Sequence, residues 1–318
     1  MSELVIASQL QAPVNAQLAR LLPQARVVPI GPGTPADVPS DASILFATPM
    51  RIKGQQVSAD APPGWPWNLR WVQLISSGID AYPRWLFDVP VTSARGSSAA
   101  AISEFALAAI FAAAKQLPEL WFNDAAQWSP TQRPRLAQVR GSTIGIVGFG
   151  AIGRTLASQA LALGARVLAL RASDAPLDLP GVERATSLSA LFAESDHVVL
   201  AAPLTPATRG MVDTAVLAAA KPGLHLVNIA RGGLVDHSAL AAALDSGRVG
   251  LASLDVTEPE PLPAGHPFYR HPRVRLSPHT SASSPDLFDK VLAIFLANLA
   301  AWQAGRPFTN LIDKGQVP

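Results

Sequence analysis

Short apolar runs alternate with segments of helical or turn character between residues 142 and 276. The runs are almost continuously apolar, as strands are when helices cover both faces of a parallel sheet. A repeated order of strand, crossover and strand is typical of a doubly wound α/β sheet. We therefore predict a parallel sheet with strands at residues 142–147, 166–170, 197–201, 224–229, 250–254 and 274–276.

The first hundred residues carry a shorter series of the same kind. Apolar runs bounded by polar or turn residues predict buried strands at 4–7, 43–47 and 71–75. The segment 61–67 contains three prolines, which lack backbone donors, so we expect no regular structure there. Helices are predicted over the Ala-rich segment 97–117 and the amphipathic segment 286–302.

Composition excludes several classes of protein. Of the 318 residues, 49% are hydrophobic and 15% are charged, which supplies cores for two domains and excludes a mostly disordered chain. Lys and Arg total 25 against 23 Asp and Glu, and a net charge of +2 provides no basic surplus for nucleic acid. The absence of cysteine excludes disulfides, thiolate metal sites and a cysteine nucleophile, and it fits a reducing compartment.

We expect no targeting or membrane segment in this sequence. No apolar stretch reaches the length of a membrane span, and residues 1–4 lack the basic start of a secretory signal. We expect a cytoplasmic globular protein that binds neither nucleic acid nor membrane and that holds no metal.

A glycine-rich turn follows the first run of the long series. The sequence GFGAIG at 148–153 leads into a stretch of helical character at 154–163. In that setting Gly148 permits a tight turn, Gly150 lets the backbone approach a pyrophosphate, and Gly153 lets the helix pack on the strand. A diphosphate would lie at the positive end of the helix, and the alternative is a glycine turn without a ligand. The residues assigned to this site are Gly148, Gly150, Ala151, Ile152 and Gly153.

The end of the next strand bears on which dinucleotide binds. NAD enzymes usually carry Asp or Glu there, to hold the ribose hydroxyls. This chain has Arg171 followed by Ser173, and a guanidinium with a hydroxyl can bind a 2′-phosphate. We predict a preference for NADP(H), with NAD(H) as the second choice. The alternative is that Arg171 faces only solvent.

Reactive side chains follow three successive predicted strands. Arg231 follows one, the carboxylates Asp255, Glu258 and Glu260 follow the next, and His279 follows the third. Ligands of open α/β sheets lie beyond these strand ends. An arginine can hold a substrate carboxylate, a histidine can exchange a proton with a hydroxyl, and a carboxylate can orient the histidine and favour its charged form. Taken singly, each could be an ordinary solvated side chain.

The other five histidines have structural interpretations. His197 and His225 lie in apolar strands and are interpreted as core residues with satisfied hydrogen bonds. His237 is expected at the start of a helix, and His266 and His271 are expected in loops before prolines.

Together and in this order, the motifs from about residue 141 to residue 284 resemble those of the D-isomer-specific 2-hydroxyacid dehydrogenases. That family includes glyoxylate/hydroxypyruvate reductases and phosphoglycerate dehydrogenases. The match extends toward the N-terminus through the sequence SSGID at 76–80. The segments that carry the resemblance are 148–153, 202–208, 221–223, 228–233, 255–261 and 277–279.

The resemblance implies roles for individual residues. The catalytic arginine, glutamate and histidine of the family fall on Arg231, Glu260 and His279, whereas Glu258 is not the partner of the histidine. Arg51 is interpreted as a surface charge rather than a substrate ligand. The implied substrate-binding residues are Ser77, Gly78, Arg231 and His279. The further implied cofactor contacts are Ala202, Pro203, Thr208, Ala230, Arg231, Asp255 and His279, with Asp255 on the nicotinamide carboxamide.

The resemblance also implies two Rossmann-like, doubly wound α/β domains, the smaller of them discontinuous. Residues 1–97 and 284–318 would form the substrate-binding domain, and residues 98–283 the NAD(P)-binding domain. A homodimer built around the Ala-rich helix and its following loop is implied as well. Trp121 and Trp128 would then face the partner, and the alternative is that they are buried in the core.

We therefore predict an NAD(P)H-dependent reductase of small 2-oxoacids to D-2-hydroxyacids, of the glyoxylate/hydroxypyruvate type. Hydride would come from the nicotinamide and a proton from His279, so reduction should slow as the pH rises and the imidazole loses its proton. Two alternatives stay open. One is a cofactor-sensing, corepressor-like binding protein of the same family, and the other is a phosphite- or formate-oxidising dehydrogenase on the same scaffold.

Overall fold

The structure is a computed structural model, and the residues it describes are 3–50, 60–128, 135–313 and 315. Arg51 lies outside the described residues. The chain divides into two compact units, one formed by Met1–Ser97 with Ser284–Pro318 and the other by Ser98–Ser283. Each unit has its own parallel sheet and its own core, which confirms the predicted α/β fold class.

The unit that contains both chain termini has, in its described part, a sheet of five parallel strands in the order β2-β1-β3-β4-β5. Its strands are β1 (Leu4–Ser8), β2 (Ala25–Pro29), β3 (Ile44–Ala47), β4 (Trp71–Leu74) and β5 (Val91–Thr92). Its α-helices are α1 (Ala12–Leu21) and α7 (Leu287–Gln303). As predicted, the segment 61–67 forms turns and no helix or strand.

Helix α7 closes one face of this sheet. Buried side chains recur every fourth residue along it, so that Phe295 projects onto the sheet. The ring of Phe295 lies 4.9 Å from that of Phe46 and stacks on Trp71 with centroids 5.0 Å apart. The indole of Trp71 is fully buried and donates a 2.8 Å hydrogen bond to Thr92 Oγ1. The C-terminal helix is therefore part of the core of the N-terminal strands.

The second unit has, among its described residues, seven parallel strands in the order β12-β11-β10-β9-β6-β7-β8. Its strands are β6 (Thr143–Val147), β7 (Arg166–Leu170), β8 (Val182–Arg184), β9 (His197–Leu200), β10 (Leu224–Asn228), β11 (Val249–Leu254) and β12 (Val274–Leu276). Its α-helices are α2 (Ala99–Lys115), α3 (Ala151–Ala162), α4 (Leu188–Glu194), α5 (Thr214–Ala219) and α6 (His237–Asp245).

The order of these strands locates the crevice of the sheet. From β6 the chain proceeds outward through β7 and β8, then returns to pair β9 with the other side of β6. The strand order therefore reverses between β6 and β9. Ligands of doubly wound sheets bind beyond the carboxyl ends of the strands at such a point.

Three strands were not predicted, namely β2, β5 and β8. Each lies at the edge of its sheet. No residue of β2 or β8 is fully buried and neither strand has a continuous apolar run, and β5 is only two residues long. An edge strand buries less of its surface than a central one, so its sequence carries a weaker apolar signal.

The two histidines interpreted as core residues meet on the seven-stranded sheet. His197 and His225 are register partners on β9 and β10, and their Nδ1 atoms are 3.1 Å apart. His225 Nε2 lies 3.0 Å from Ser253 Oγ. Both rings are buried and hydrogen-bonded, which confirms the interpretation. Burial lowers the pKa of both imidazoles, and it lowers that of His225 to about 3.

This buried pair predicts that the protein loses stability in mild acid. In the unfolded chain a histidine takes up its proton near pH 6.5, whereas the folded state keeps His225 neutral to about pH 3. Between these values the unfolded state binds more protons, so stability falls as the pH falls, by up to roughly 1.4 kcal/mol per pH unit. We expect the melting temperature of the wild type to drop between pH 7 and pH 5, and that of His225→Gln to drop less. Equal drops in the two proteins would contradict the assignment.

Candidate active site

The glycine turn between β6 and α3 has the close packing that its glycines predict. Gly148 has a φ of +102°, and a β-carbon there would lie 2.7 Å from the backbone of Ala201 and Ala202. A β-carbon on Gly153 would lie 2.1 Å from the carbonyl oxygen of Gly148. Neither position therefore accepts a side chain without displacing backbone, and helix α3 lies directly against the end of β6.

Gly150 differs from the other two glycines, because a β-carbon there would meet no atom within 4 Å. It is the N-cap of α3, and its missing side chain leaves the first turn of the helix without a side-chain cap. Backbone N–H groups at a helix start bind anions when no side chain satisfies them. This open, uncapped turn fits a dinucleotide diphosphate, which Gly150, Ala151 and Ile152 would hold.

Two guanidinium groups lie at the predicted 2′-phosphate site, one on the turn after β7 and one on the neighbouring strand β8. Arg171 is half-buried and donates to the Pro176 carbonyl at 3.3 Å. Arg184, on the edge strand β8, donates to the carbonyl oxygens of Ser173 and Ala175. Within the described part of the chain, neither of these arginines pairs with a carboxylate. Arg184 was not predicted for this site, because its position depends on the pairing of β8 with β7.

The loop after β9 holds three residues assigned to the cofactor. Ala202 is buried, and the hydroxyl of Thr208 donates a 2.7 Å hydrogen bond to the carbonyl of Pro203. The same hydroxyl oxygen accepts from the backbone N–H of Thr205 at 2.8 Å. Thr208 thus closes the loop on itself, and all three residues lie beyond the carboxyl end of the strand beside β6.

Arg231 follows β10 and is positioned by a buried asparagine. The Asn228 side chain donates to the carbonyl of Arg231 at 2.9 Å and accepts from the backbone N–H of Ala230 at 3.1 Å. Arg231 is half-buried and donates to the carbonyl of Ala230 at 2.7 Å. Asn228 belongs to a segment that carried the family resemblance, but its role as a clamp on the arginine was not predicted.

The loops after β10 and β11 touch through their backbones. A β-carbon on Gly232 would lie 2.0 Å from the carbonyl carbon of Thr257. Beside this contact, Glu258 forms an ion pair with Arg209, which lies on the loop after β9. Arg209 Nη1 is 2.6 Å from Glu258 Oε2. Glu258 is thereby engaged away from the histidine, in agreement with the prediction that it is the wrong carboxylate of the pair.

Glu260 is the carboxylate that meets His279. His279 Nδ1 and Glu260 Oε1 are 2.8 Å apart, and the two side chains are 43% and 40% exposed. A carboxylate only accepts hydrogen bonds, so Nδ1 carries the proton of this contact. Within the described residues, Nε2 has no protein partner. The ring is therefore oriented through one nitrogen, and the other can exchange a proton with a ligand.

Asp255, at the end of β11, is 2% exposed and binds the turn that contains His279. Its Oδ1 accepts from Ser277 Oγ at 2.6 Å and from the Thr280 N–H at 2.9 Å. Its Oδ2 accepts from the Ser281 N–H at 2.9 Å. Burial acts to raise the pKa of Asp255, but these hydrogen bonds outweigh it and lower the pKa below its ordinary value.

Ser77 and Gly78 lie in the other unit, in the segment that follows β4. Ser77 is exposed and its hydroxyl donates to the Ala94 carbonyl at 3.5 Å. The hydroxyl of Ser76 donates to the Gly78 carbonyl at 2.7 Å. Their assignment to the substrate stays a prediction.

The reactive groups therefore lie together beyond the carboxyl ends of the strands of the seven-stranded sheet. Arg231, Glu260 and His279 follow the adjacent strands β10, β11 and β12, and the open glycine turn follows β6 at the reversal of strand order. A cation, a proton donor and its orienting carboxylate can together bind a carboxylate ligand and protonate an oxygen on it.

Two further features are absent from the described ranges. No three His, Cys, Asp or Glu side chains there are grouped as metal ligands. No helix in those ranges combines the length and the apolar character that crossing a bilayer requires.

Comparisons with known proteins point in one direction. A family model for the D-isomer specific 2-hydroxyacid dehydrogenase, NAD binding domain, matches residues 107–281. The (S)-sulfolactate dehydrogenase of Chromohalobacter salexigens is 40% identical over 185 residues, which cover 56% of this chain and 58% of that protein. Glyoxylate/hydroxypyruvate reductase A of Serratia proteamaculans is 30% identical over 311 residues, which cover 94% of this chain and 93% of that protein.

The fold also has solved counterparts. A D-isomer specific 2-hydroxyacid dehydrogenase from Xanthobacter autotrophicus Py2, crystallised in complex with NADPH and MES, is similar over 100% of both chains, with a TM-score of 0.82 and 26% identity. The lengths of the relatives differ. The chain spans little more than half of the sulfolactate dehydrogenase and about half of several other curated relatives that it matches.

Proposed function

The chain belongs to the D-isomer-specific 2-hydroxyacid dehydrogenases, as its motifs predicted, and from this premise we propose that it reduces a small 2-oxoacid to the D-2-hydroxyacid with NAD(P)H. We further propose a substrate of the glyoxylate or hydroxypyruvate type, in keeping with the relative that covers nearly the whole chain. The observation that carries the proposal is the 2.8 Å contact between His279 and Glu260, at the sheet edge that also presents Arg231. A cytoplasmic location stays a prediction.

In this proposal each reactive side chain has one task. Arg231 binds the substrate carboxylate and polarises the adjacent carbonyl group. His279, protonated on both nitrogens, donates the Nε2 proton to the oxygen on C2. Glu260 holds the ring through Nδ1, which leaves Nε2 to face the substrate. When bound, a reduced nicotinamide supplies the hydride that C2 receives.

A substrate panel tests the proposed reaction. Loss of absorbance at 340 nm would be followed with NADPH or NADH and with glyoxylate, hydroxypyruvate and 3-sulfopyruvate, the last being the oxoacid of sulfolactate. We expect turnover with at least one of these acids, and D configuration of the product from hydroxypyruvate or 3-sulfopyruvate, since glycolate has no stereocentre. Binding of NADPH without turnover of any 2-oxoacid would favour a corepressor-like protein. Reduction of NADP⁺ by phosphite or formate would favour the second alternative.

The cofactor preference is a separate proposal, that NADP(H) is favoured over NAD(H). It is supported by the two guanidinium groups beside Ser173, which no carboxylate neutralises in the described part of the chain. A phosphate bound by a guanidinium is worth about 1.5–3 kcal/mol, or about tenfold to a hundredfold in affinity.

We therefore expect kcat/KM of the wild type to be higher with NADPH than with NADH. Arg171→Asp should reverse this preference, because a carboxylate repels the 2′-phosphate and holds the ribose hydroxyls. Arg184→Gln should lower it less. The matched control is Arg248→Gln. Arg248 directly precedes β11 and so lies at the amino ends of the strands, away from the cofactor site. Equal use of both cofactors by the wild type and by Arg171→Asp would refute the proposal.

We also propose a homodimer, on the basis of an apolar surface after α2. The aromatic side chains Trp121, Phe122 and Trp128 are 71%, 50% and 65% exposed. The alternative prediction, that the two tryptophans are buried in the core of their own chain, is therefore wrong. Contiguous exposed aromatic side chains are typical of protein interfaces.

Light scattering coupled to size-exclusion chromatography would measure the oligomeric state. The wild type is expected to elute as a dimer, and Trp121→Glu as a monomer, because the interface would bury an unpaired charge. Tyr269→Glu is the matched control, since Tyr269 is 52% exposed on a different segment. A monomeric wild type at all concentrations would exclude this interface.

A further inference from the structure

We infer that Asp255 is a positioning residue for His279, because it holds the turn 277–281 in the conformation that directs His279 Nδ1 at Glu260. The expected effect on rate rests on the proposed function, whereas the effect on the imidazole does not. The resemblance implied only a cofactor contact for this aspartate.

The first support is the set of hydrogen bonds that one residue makes to one turn. The carbonyl oxygen of Asp255 accepts from the N–H of His279 at 2.9 Å. Its carboxylate accepts from Ser277, which precedes the histidine, and from the N–H groups of Thr280 and Ser281, which follow it. The turn is thus bound on both sides of the histidine, and the histidine backbone is itself bound.

The second support is the conformation that these bonds maintain. His279 has a φ of +55°, a left-handed conformation that a residue with a β-carbon rarely adopts. Such a conformation persists where the surroundings over-determine it. The four hydrogen bonds to Asp255 supply that constraint, and the resulting direction of the side chain brings Nδ1 to within 2.8 Å of Glu260.

The third support is the charge of Asp255. The side chain is buried, and within the described residues it forms no ion pair with a cation. The donors of the turn alone therefore stabilise its negative charge, and hydrogen bonds to a buried carboxylate are short and strongly oriented. Removing that charge should loosen the turn without opening a cavity.

Asp255→Asn separates positioning from cofactor binding. In either orientation of the amide, an NH₂ group faces a hydroxyl or an N–H of the turn, so at least one hydrogen bond is lost. If Asp255 acts through His279, kcat falls by about a hundredfold, since a displaced catalytic group can cost that much. The dissociation constant for NADPH should change by less than about threefold, because a cofactor interaction is not the source of the loss. A cofactor ligand alone would give a large rise in that constant.

A double-mutant cycle with Glu260→Gln measures whether the two carboxylates act on the same imidazole. Positioning predicts that the double variant loses less than the product of the two single losses. Ser277→Ala, which removes one donor to Asp255, should give a smaller fall in kcat. Its loss should also be non-additive with that of Glu260→Gln. The matched control is Ser284→Ala, because the hydroxyl of Ser284 binds Asp286 and should leave kcat unchanged. Additive losses with weakened NADPH binding would overturn the inference.

A measurement without substrate keeps the two proposals distinguishable. With ¹⁵N-labelled histidine, NMR at alkaline pH reports which ring nitrogen of neutral His279 carries the proton, and His279→Gln assigns the signal. We expect Nδ1–H in the wild type and a mixture of tautomers in Asp255→Asn or, if that variant does not fold, in Ser277→Ala. Unchanged tautomers would overturn the inference. A wild type that reduces no 2-oxoacid would instead overturn the proposed function, and the NMR result would still decide the role of Asp255.

Discussion

His279→Ala is expected to lower kcat for 2-oxoacid reduction by about a hundredfold or more, the usual contribution of a positioned general acid. The imidazole meets Glu260 through Nδ1 at 2.8 Å, so its Nε2 is the nitrogen that can serve a ligand. Without the ring, water must protonate the oxygen on C2. The dissociation constant for NADPH should change little, because the variant keeps the glycine turn.

Two other variants serve as comparisons for His279→Ala. Glu260→Gln keeps the imidazole but replaces the carboxylate that accepts from Nδ1, so its kcat should fall by less than that of His279→Ala. His271 lies on the loop before β12 and pairs with Asp245. His271→Ala should therefore keep the wild-type kcat. If His279→Ala turned over at a near-native rate, another group would have to be the acid.

Arg231→Ala is expected to lower kcat/KM by about a hundredfold or more, because the variant loses both the charge that binds the substrate carboxylate and the polarisation of the carbonyl. Arg231→Lys should recover only part of the loss, since an ammonium group cannot bind a carboxylate through two parallel hydrogen bonds. The backbone should stay in place, because Asn228 binds the carbonyl of residue 231 rather than its side chain.

A substrate without a carboxylate provides the sharper test of this arginine. Glycolaldehyde lacks the group that Arg231 is proposed to bind, so the wild type should favour glyoxylate strongly. Arg231→Ala should lose most of that preference, whereas Arg248→Ala should keep it. An unchanged ratio of the two rates in Arg231→Ala would show that the carboxylate is bound elsewhere.

The sequence predicted the central strands well because burial on both faces leaves a continuous apolar run. Strand β7 has the predicted bounds, and β6, β9, β10 and β11 differ from prediction by a residue. The edge strand β12 was also predicted, since its three residues include two apolar ones that follow a turn. The edge strands β2 and β8 escaped prediction because half-exposed strands carry no such run. Parallel strands share one carboxyl edge, so the order of Arg231, Glu260 and His279 along the chain already predicted their convergence.

The hydrogen-bond partners of the site residues could not be predicted from composition and spacing. Glu258 and Glu260 are two residues apart in a proline-containing loop, and in the structure one binds Arg209 while the other binds His279. Composition and spacing do not distinguish two such carboxylates, although the family resemblance did. Arg184 and Asn228 were not assigned at all, because their contacts depend on which strand lies beside which.

By itself, the sequence determined the α/β class, the position of the glycine turn and the identity of the reactive residue types, because apolar runs and glycine requirements are local properties of the chain. The tertiary structure alone decided that Asp255 is sequestered by the turn of His279 and that Trp121 and Trp128 stay exposed. Both depend on packing between residues far apart in the chain, and the direction of a side chain there is settled by neighbours that no local pattern encodes.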